Sequence, residues 1–290
     1  MKTRGIILAT FGSIYEEAVE KSVGLMEARI CRAYPEAAVK RVFLSDALVD
    51  KWNATYGRPV MRLDEAMQSL LASGVSEIYI QPFIFVADQS YQQLRKQVNM
   101  YIHSSAYDHV CIQLGRPLLS SLGVKNYRDD YADTIGAIRN YLGEAGKGKT
   151  LLLMANGQNQ LEFSTLQLKC LYGEEMNIAV FTANGFPNFK QSLQLLEQFK
   201  QTDIILLVPL ALIGSEHLMD FLGGERSDSI ASLLNESGYS VDLWRQGLGE
   251  NRYIQDIFLK HLAQTIRMVE RRRQLAPKKN YGAQVLAYVG

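Results

Sequence analysis

The strongest constraint on this chain is an alternation. Short apolar runs of strand length are separated by longer amphipathic stretches, and the same order occurs twice. Ile6–Phe11 is an apolar run that stops at Gly12-Ser13; it is too short for a signal sequence and suits a buried parallel strand. Helix is expected over 15–33, where Ala18, Val19, Val23, Met26 and Ile30 recur at helical spacing. Ser13 followed by Glu16 offers a capping box for it. Strands are expected at 39–44, 76–82 and 109–114, and helices at 64–71, 89–102 and 129–142. The second half carries expected strands at 150–155, 178–181, 203–208 and 240–244, with helices at 161–172, 189–200, 227–236 and 253–269.

Strands alternating with helices imply parallel sheets covered on both faces. The repeat also extends to local detail. Ile78-Tyr79-Ile80-Gln81-Pro82 parallels Leu206-Leu207-Val208-Pro209, and Phe11-Gly12-Ser13 parallels Asn156-Gly157-Gln158. The expected fold class is α/β: two similar lobes, each a parallel sheet flanked by helices, with a cleft between them. The 290 residues suit two lobes of about 100–150 residues. We expect an N-terminal lobe over 1–145 and a C-terminal lobe over 146–270, divided near the Gly- and Lys-rich stretch 143–149. Residues 271–290 begin Arg271-Arg272-Arg273 and continue through Pro277-Lys278-Lys279, and are expected to form a solvated basic tail. Ligands of such folds bind beyond the carboxyl ends of the strands. That directs attention to the loops at Gly12, Pro82, Asn156, Asn184 and 209–217.

Charge and cysteine content narrow the function classes. With 31 basic and 30 acidic residues the net charge is +1, so no overall field favours nucleic acid. No apolar run approaches the length of about 18 residues that spans a membrane. Cys31, Cys111 and Cys170 are far apart and form no C-x-x-C pair, as expected of a cytoplasmic protein in a reducing compartment. Gly143-x-x-x-x-Gly148-Lys149-Thr150 matches the P-loop pattern. A working P-loop follows a strand and opens a helix, whereas here a helix precedes and a strand follows. The match is therefore read as a linker.

Four segments, in order, carry a resemblance. They are Ile7-Leu8-Ala9-Thr10-Phe11-Gly12-Ser13-Ile14-Tyr15, Gln81-Pro82-Phe83 through Tyr91, Pro209-Leu210 through Glu216-His217, and Gly247-Leu248-Gly249-Glu250-Asn251. Together they resemble the anaerobic cobalt chelatases, which have a class II chelatase fold, from about Lys2 to Val269. The resemblance implies insertion of a divalent metal, Co²⁺ or Fe²⁺, into the tetrapyrrole sirohydrochlorin, and a homo-oligomer. The chemistry needs a ligand to hold the metal and a base to accept two pyrrole N–H protons, roles that imidazole and carboxylate can fill.

The family pattern places a His after the first strand of the second lobe, a Glu after the next strand and a second His after the third. His217 matches the last and is the implied metal and catalytic residue. Asn156 stands at the first position and Asn184 at the second. A further family His, after the Gln-Pro pair, is replaced by Ile84, and an acidic pair by Gln89-Ser90. A carboxamide accepts no pyrrole proton and ligates such metals poorly. The implied ring-binding set is Gly12, Ser13, Phe83, Ile84, Asn156, Asn184, Phe186, Glu216 and His217, with Phe85, Phe181 and Phe221 as further candidate apolar walls. His103, His109 and His261 are read as structural. Taken without the resemblance, Glu216-His217 could begin a helix, and Asn156-Gly157 and Asn184-Gly185 could be turns. Three functions stay open: an active cobalt or iron chelatase with a rebuilt site, a carrier or sensor of haem or another tetrapyrrole, and an enzyme removing metal from haem.

Overall fold

The computed structural model describes residues 4–275 apart from 125–126, 156–158, 173–176 and 200–203. The chain divides into two compact units. The first comprises 1–14, 23–118 and 256–290, and the second 15–22 and 119–255. The chain therefore passes between them four times.

The first unit opens with strand β1 (Arg4–Thr10). Helices α1 (Glu16–Val19) and α2 (Leu25–Ala33) are joined by a π-helical turn, Glu20–Gly24. The expected helix over 15–33 is thus present with a wider turn inside it, and the unit boundary falls within that turn. Its first residue is Glu16 and no side chain caps it, so the expected Ser13 capping box does not form. Next come β2 (Ala38–Phe43), α3 (Asp46–Thr55), α4 (Leu63–Ala72), β3 (Glu77–Pro82), α5 (Gln89–Ile102) and β4 (Cys111–Leu114). All strand pairs are parallel, in the order β2-β1-β3-β4. Ile7, Ala9, Ile78 and Ile80 of this sheet pack with Ala66, Met67 and Leu70 of α4 and with Leu94 and Val98 of α5.

The second unit contains α6 (Asp130–Leu142), β5 (Thr150–Ala155), α7 (Gln160–Tyr172), β6 (Ile178–Thr182), α8 (Phe189–Leu196) and β7 (Ile204–Pro209). It continues with α9 (Glu216–Gly223), α10 (Ile230–Glu236) and β8 (Ser240–Leu243), and the chain closes on α11 (Arg252–Leu275). Its sheet is also parallel, ordered β6-β5-β7-β8. That is the first sheet's order again, strand for strand, as a duplicated unit requires. The glycine-lysine pattern at 143–150 lies between α6 and β5, and Lys149 Nζ is paired with Asp242 Oδ2 at 2.6 Å. A helix precedes it and a strand follows, as the inverted context implied. Among the described residues no helix is long and apolar enough to cross a membrane.

The basic run at the end of the chain departs from expectation. Helix α11 runs on through Arg271–Arg273 to Leu275, so the helix extends past the expected boundary at 270. Arg273 pairs with Glu77, whose side chain is only 12% exposed, and Arg4 Nε reaches the same carboxylate at 3.2 Å. Arg4 also reaches Glu270 at 3.2 Å, and Gln264 Oε1 accepts from Arg116 at 3.0 Å. From Asp256 onward the helix thus belongs to the first unit, closing on its sheet through Phe258 against Phe83, ring centroids 4.7 Å apart.

Candidate functional site

Each unit presents loops at the carboxyl ends of its strands. In the first, Gly12 has φ +100°, and a Cβ there would lie 2.7 Å from the Phe43 ring. Only glycine fits both the backbone and the space. Ser13 follows, half-buried. Phe11 is 54% exposed at the tip of β1; an aromatic presented there is a candidate wall that sequence reasoning passed over, since a strand-like run gives no sign of where burial stops.

After β3 the chain turns inward. Phe83 N–H donates to Ala9 O at 2.7 Å, and its ring is fully buried against Phe258. Ile84 is buried in the cluster containing Leu94 and Val98. Both proposed ring-binding positions are therefore occupied with holding α5 and α11 on the sheet. Gln81, fully buried, donates from Nε2 to Pro82 O and Arg116 O, which fixes the loop after β4. Gln89 and Ser90 open α5, where Asp88 caps Tyr91 N–H at 3.0 Å.

In the second unit Asn156 and Gly157 lie outside the described residues. Asn184 is in an exposed turn after β6, and Phe186 beside it is 48% exposed. Phe181 is fully buried and packs edge-on against Phe189, while Phe221 is 40% exposed on α9. Glu216 and His217 begin α9, both exposed, with Ser215 as the N-cap accepting from Leu218 N–H at 3.3 Å. The helix reading and the site reading of Glu216-His217 are thus compatible. Adjacent helical positions point about 100° apart, so Glu216 is not placed to hold the His217 ring. Glu216 does put a negative charge in the first turn, where the helix dipole favours it.

The Gly247–Asn251 segment shows what braces this loop. A Cβ on Gly247 would meet Gly214 N at 2.5 Å and Leu212 O at 2.7 Å. Leu248 N–H donates to Ala211 O at 2.8 Å and Gly249 N–H to Leu212 O at 2.9 Å. Glu250 accepts from Gly247 N–H, Asn251 donates to Ala137 O at 3.0 Å, and Gln255 donates to Gly249 O at 2.7 Å. The segment thus clamps, backbone on backbone, the loop that ends at His217. Gly247→Ala is expected to cost about 1–3 kcal/mol through forced backbone displacement, measured by denaturant unfolding. Unchanged stability would show that the loop has room to spare.

Among the described residues no group of three His, Cys, Asp or Glu is close enough to hold a metal ion. His103 bonds Asn99 O at 2.7 Å, and His261 is buried in α11.

Residues 4–267 match the family described as Cobalt chelatase (CbiK). The chain belongs to the cobalt chelatase family. A relative of this chain is the sirohydrochlorin cobaltochelatase of Salmonella typhimurium, 24% identical over 277 residues that cover 91% of this chain and 97% of the relative. The fold is that of SirB from Bacillus subtilis solved with Fe³⁺: TM-score 0.62 at 15% identity, covering 94% of this chain and 98% of SirB. SirB from Bacillus subtilis subspecies spizizenii, in complex with cobalt, aligns at TM-score 0.58 and 14% identity over the same shares. The class II chelatase fold expected from the four segments is therefore the fold of this family member.

Proposed function

We propose that the chain binds a tetrapyrrole at the carboxyl ends of its strands, with His217 as the polar contact, and inserts metal weakly or not at all. The observation that carries this reading is the donor set. The family position after β6 is Asn184, on an exposed turn, and the family position after β3 is Ile84, committed to the core. Asn156 adds a second carboxamide at the family's first His position. Carboxamides take no proton from a pyrrole N–H. A bare divalent ion needs several charged or imidazole ligands, whereas a metal already held in a ring needs one axial imidazole. His217, exposed at the start of α9, supplies one. The relative named sirohydrochlorin cobaltochelatase and the neighbours solved with Fe³⁺ and cobalt support the substrate class.

The test is an absorbance titration of haem and of sirohydrochlorin into the wild type and His217→Ala. Saturable binding with a Soret shift is expected for the wild type. His217→Ala is expected to weaken haem binding at least about tenfold, since even the loss of a hydrogen bond to a metal ligand costs that much. No saturable binding of either ring by the wild type rejects the reading; identical spectra in both proteins reject the axial role of His217.

A further inference from the structure

The chain runs on past the family match, which ends at residue 267, and past the end of α11 at Leu275. The charges of this last stretch stop at Lys279. Tyr281-Gly282-Ala283-Gln284-Val285-Leu286-Ala287-Tyr288-Val289 follows with none. Its five consecutive apolar residues, 285–289, stand between Gly282 and Gly290. They have the β-branched and aromatic content and the length of a buried parallel strand.

The path of α11 sets where the chain enters that stretch. Phe258 packs on Phe83, past the carboxyl end of β3. Arg116, past the carboxyl end of β4, donates to Gln264 at 3.0 Å. Arg273 pairs with Glu77, the first residue of β3, and lies beside the thiol of Cys111, the first residue of β4. The helix therefore runs antiparallel to both strands and delivers the chain at their amino ends, as the helix of a parallel strand–helix–strand crossover does. The five residues 276–280 can span up to about 16 Å, and the place of a strand beside β4 is about 5 Å from it.

Strand β4 closes the order β2-β1-β3-β4 at one edge. Its odd-numbered residues pair with β3: Cys111 N–H donates to Ser76 O at 2.9 Å and Gly115 N–H to Ile80 O at 2.7 Å. Ile112 and Leu114 therefore turn their backbone groups outward. Gln113 Nε2 donates to Ile112 O at 2.7 Å, but among the described residues nothing meets the Ile112 and Leu114 N–H groups. The opposite edge, β2, is already covered, since Phe43 N–H donates to Met61 O at 3.1 Å. We propose that residues 281–289 dock on β4 as a fifth parallel strand of the first sheet, built from the part of the chain that lies beyond the family match. Main-chain bonds to Ile112 and Leu114 hold it, and the exposed edge is closed.

The test compares the full chain with one ending at Leu275. In the full chain the Ile112 and Leu114 amides are expected to exchange with solvent as slowly as the interior β1 amides. In the shortened chain their exchange is expected to be at least about tenfold faster. Proline substitutions in the full chain give a second measure that does not depend on the shortened chain folding. Successive N–H groups of a strand point to opposite sides, and proline is tolerated where the N–H faces solvent. One alternate pair, Val285→Pro with Ala287→Pro or Leu286→Pro with Tyr288→Pro, is therefore expected to speed the exchange of Ile112 and Leu114, and the other pair to leave it unchanged. Fast exchange of these amides in the full chain overturns the proposal, as do equal rates in a folded shortened chain. Proline effects without alternation overturn the strand. Protection that appears only as the full chain sediments as a dimer, between about 1 and 100 µM, places the segment on a second copy and overturns docking within one chain.

Discussion

A protein carrying both Asn156→His and Asn184→Glu is expected to insert cobalt into sirohydrochlorin at least about 100-fold faster than the wild type. Insertion must remove two pyrrole protons, and a positioned general base contributes about 10²–10⁴-fold. Neither carboxamide can act as one. Asn184 is exposed in a turn after β6, so the longer glutamate costs no repacking. Asn156→His adds an imidazole that serves as ligand, base or both at neutral pH. The single variants are expected to fall short of the double one, since ligand and base act on one event and their effects are not additive. Insertion is measured by the absorbance change of the free ring. A double variant that binds the ring with wild-type affinity yet inserts no faster would sink the assignment of these two positions as the limit.

Glu77→Ala is expected to cost the fold about 3 kcal/mol, near the low end for breaking a buried ion pair because Arg273 is half exposed. The carboxylate serves Arg4, Arg273 and the Tyr79 hydroxyl at once; without it Arg273 loses that partner, and Arg4 keeps only the more exposed Glu36 and Glu270. Burial alone would raise the Glu77 pKa; the bonds from Arg273, Arg4 and Tyr79 outweigh it and hold the group below the usual carboxylate range. The sign follows. A depressed folded-state pKa contributes stability that is complete above the unfolded-state value and is lost as pH falls through the lower folded one. Wild-type stability is therefore expected to drop on acidification below about pH 4, and Glu77→Ala to drop less steeply there. Denaturant midpoints from pH 3 to pH 7 measure both effects, and parallel curves would exclude Glu77 as a source of the acid sensitivity.

Strong local signals were legible in the sequence. Helix α5 and strand β5 have the expected limits, because α5 opens behind its Asp88 cap and β5 is an unbroken apolar run. Helix α3 was invisible: it buries only Val49 and Trp52 across ten residues, too few to set a period. The last helix was cut short at Val269 because the following arginines look solvated; Arg273's partner Glu77 lies 196 positions away in sequence, and no local pattern reports that. The burial of Phe83 and Ile84 was hidden for a related reason. A residue just past a strand faces solvent or core according to what the distant chain brings, and here it brings Phe258. The two turns at Gly12 and Gly247 were readable as glycines, but the backbone that presses on Gly247 was not.

The return of α11 to the first unit bears on the order in which the protein can be finished by the ribosome. Phe83 and Glu77 are made early, but Phe258 and Arg273 come only after the whole of 119–255 has emerged. At about 5–20 residues per second that delay is roughly 7–30 s, long compared with the folding of a small α/β domain. Through that interval the nascent first unit carries an uncovered aromatic and a carboxylate still short of its second guanidinium. The segment made second therefore has every element of its own sheet in hand before the segment made first is complete, and the last helix finishes the beginning of the chain rather than its end.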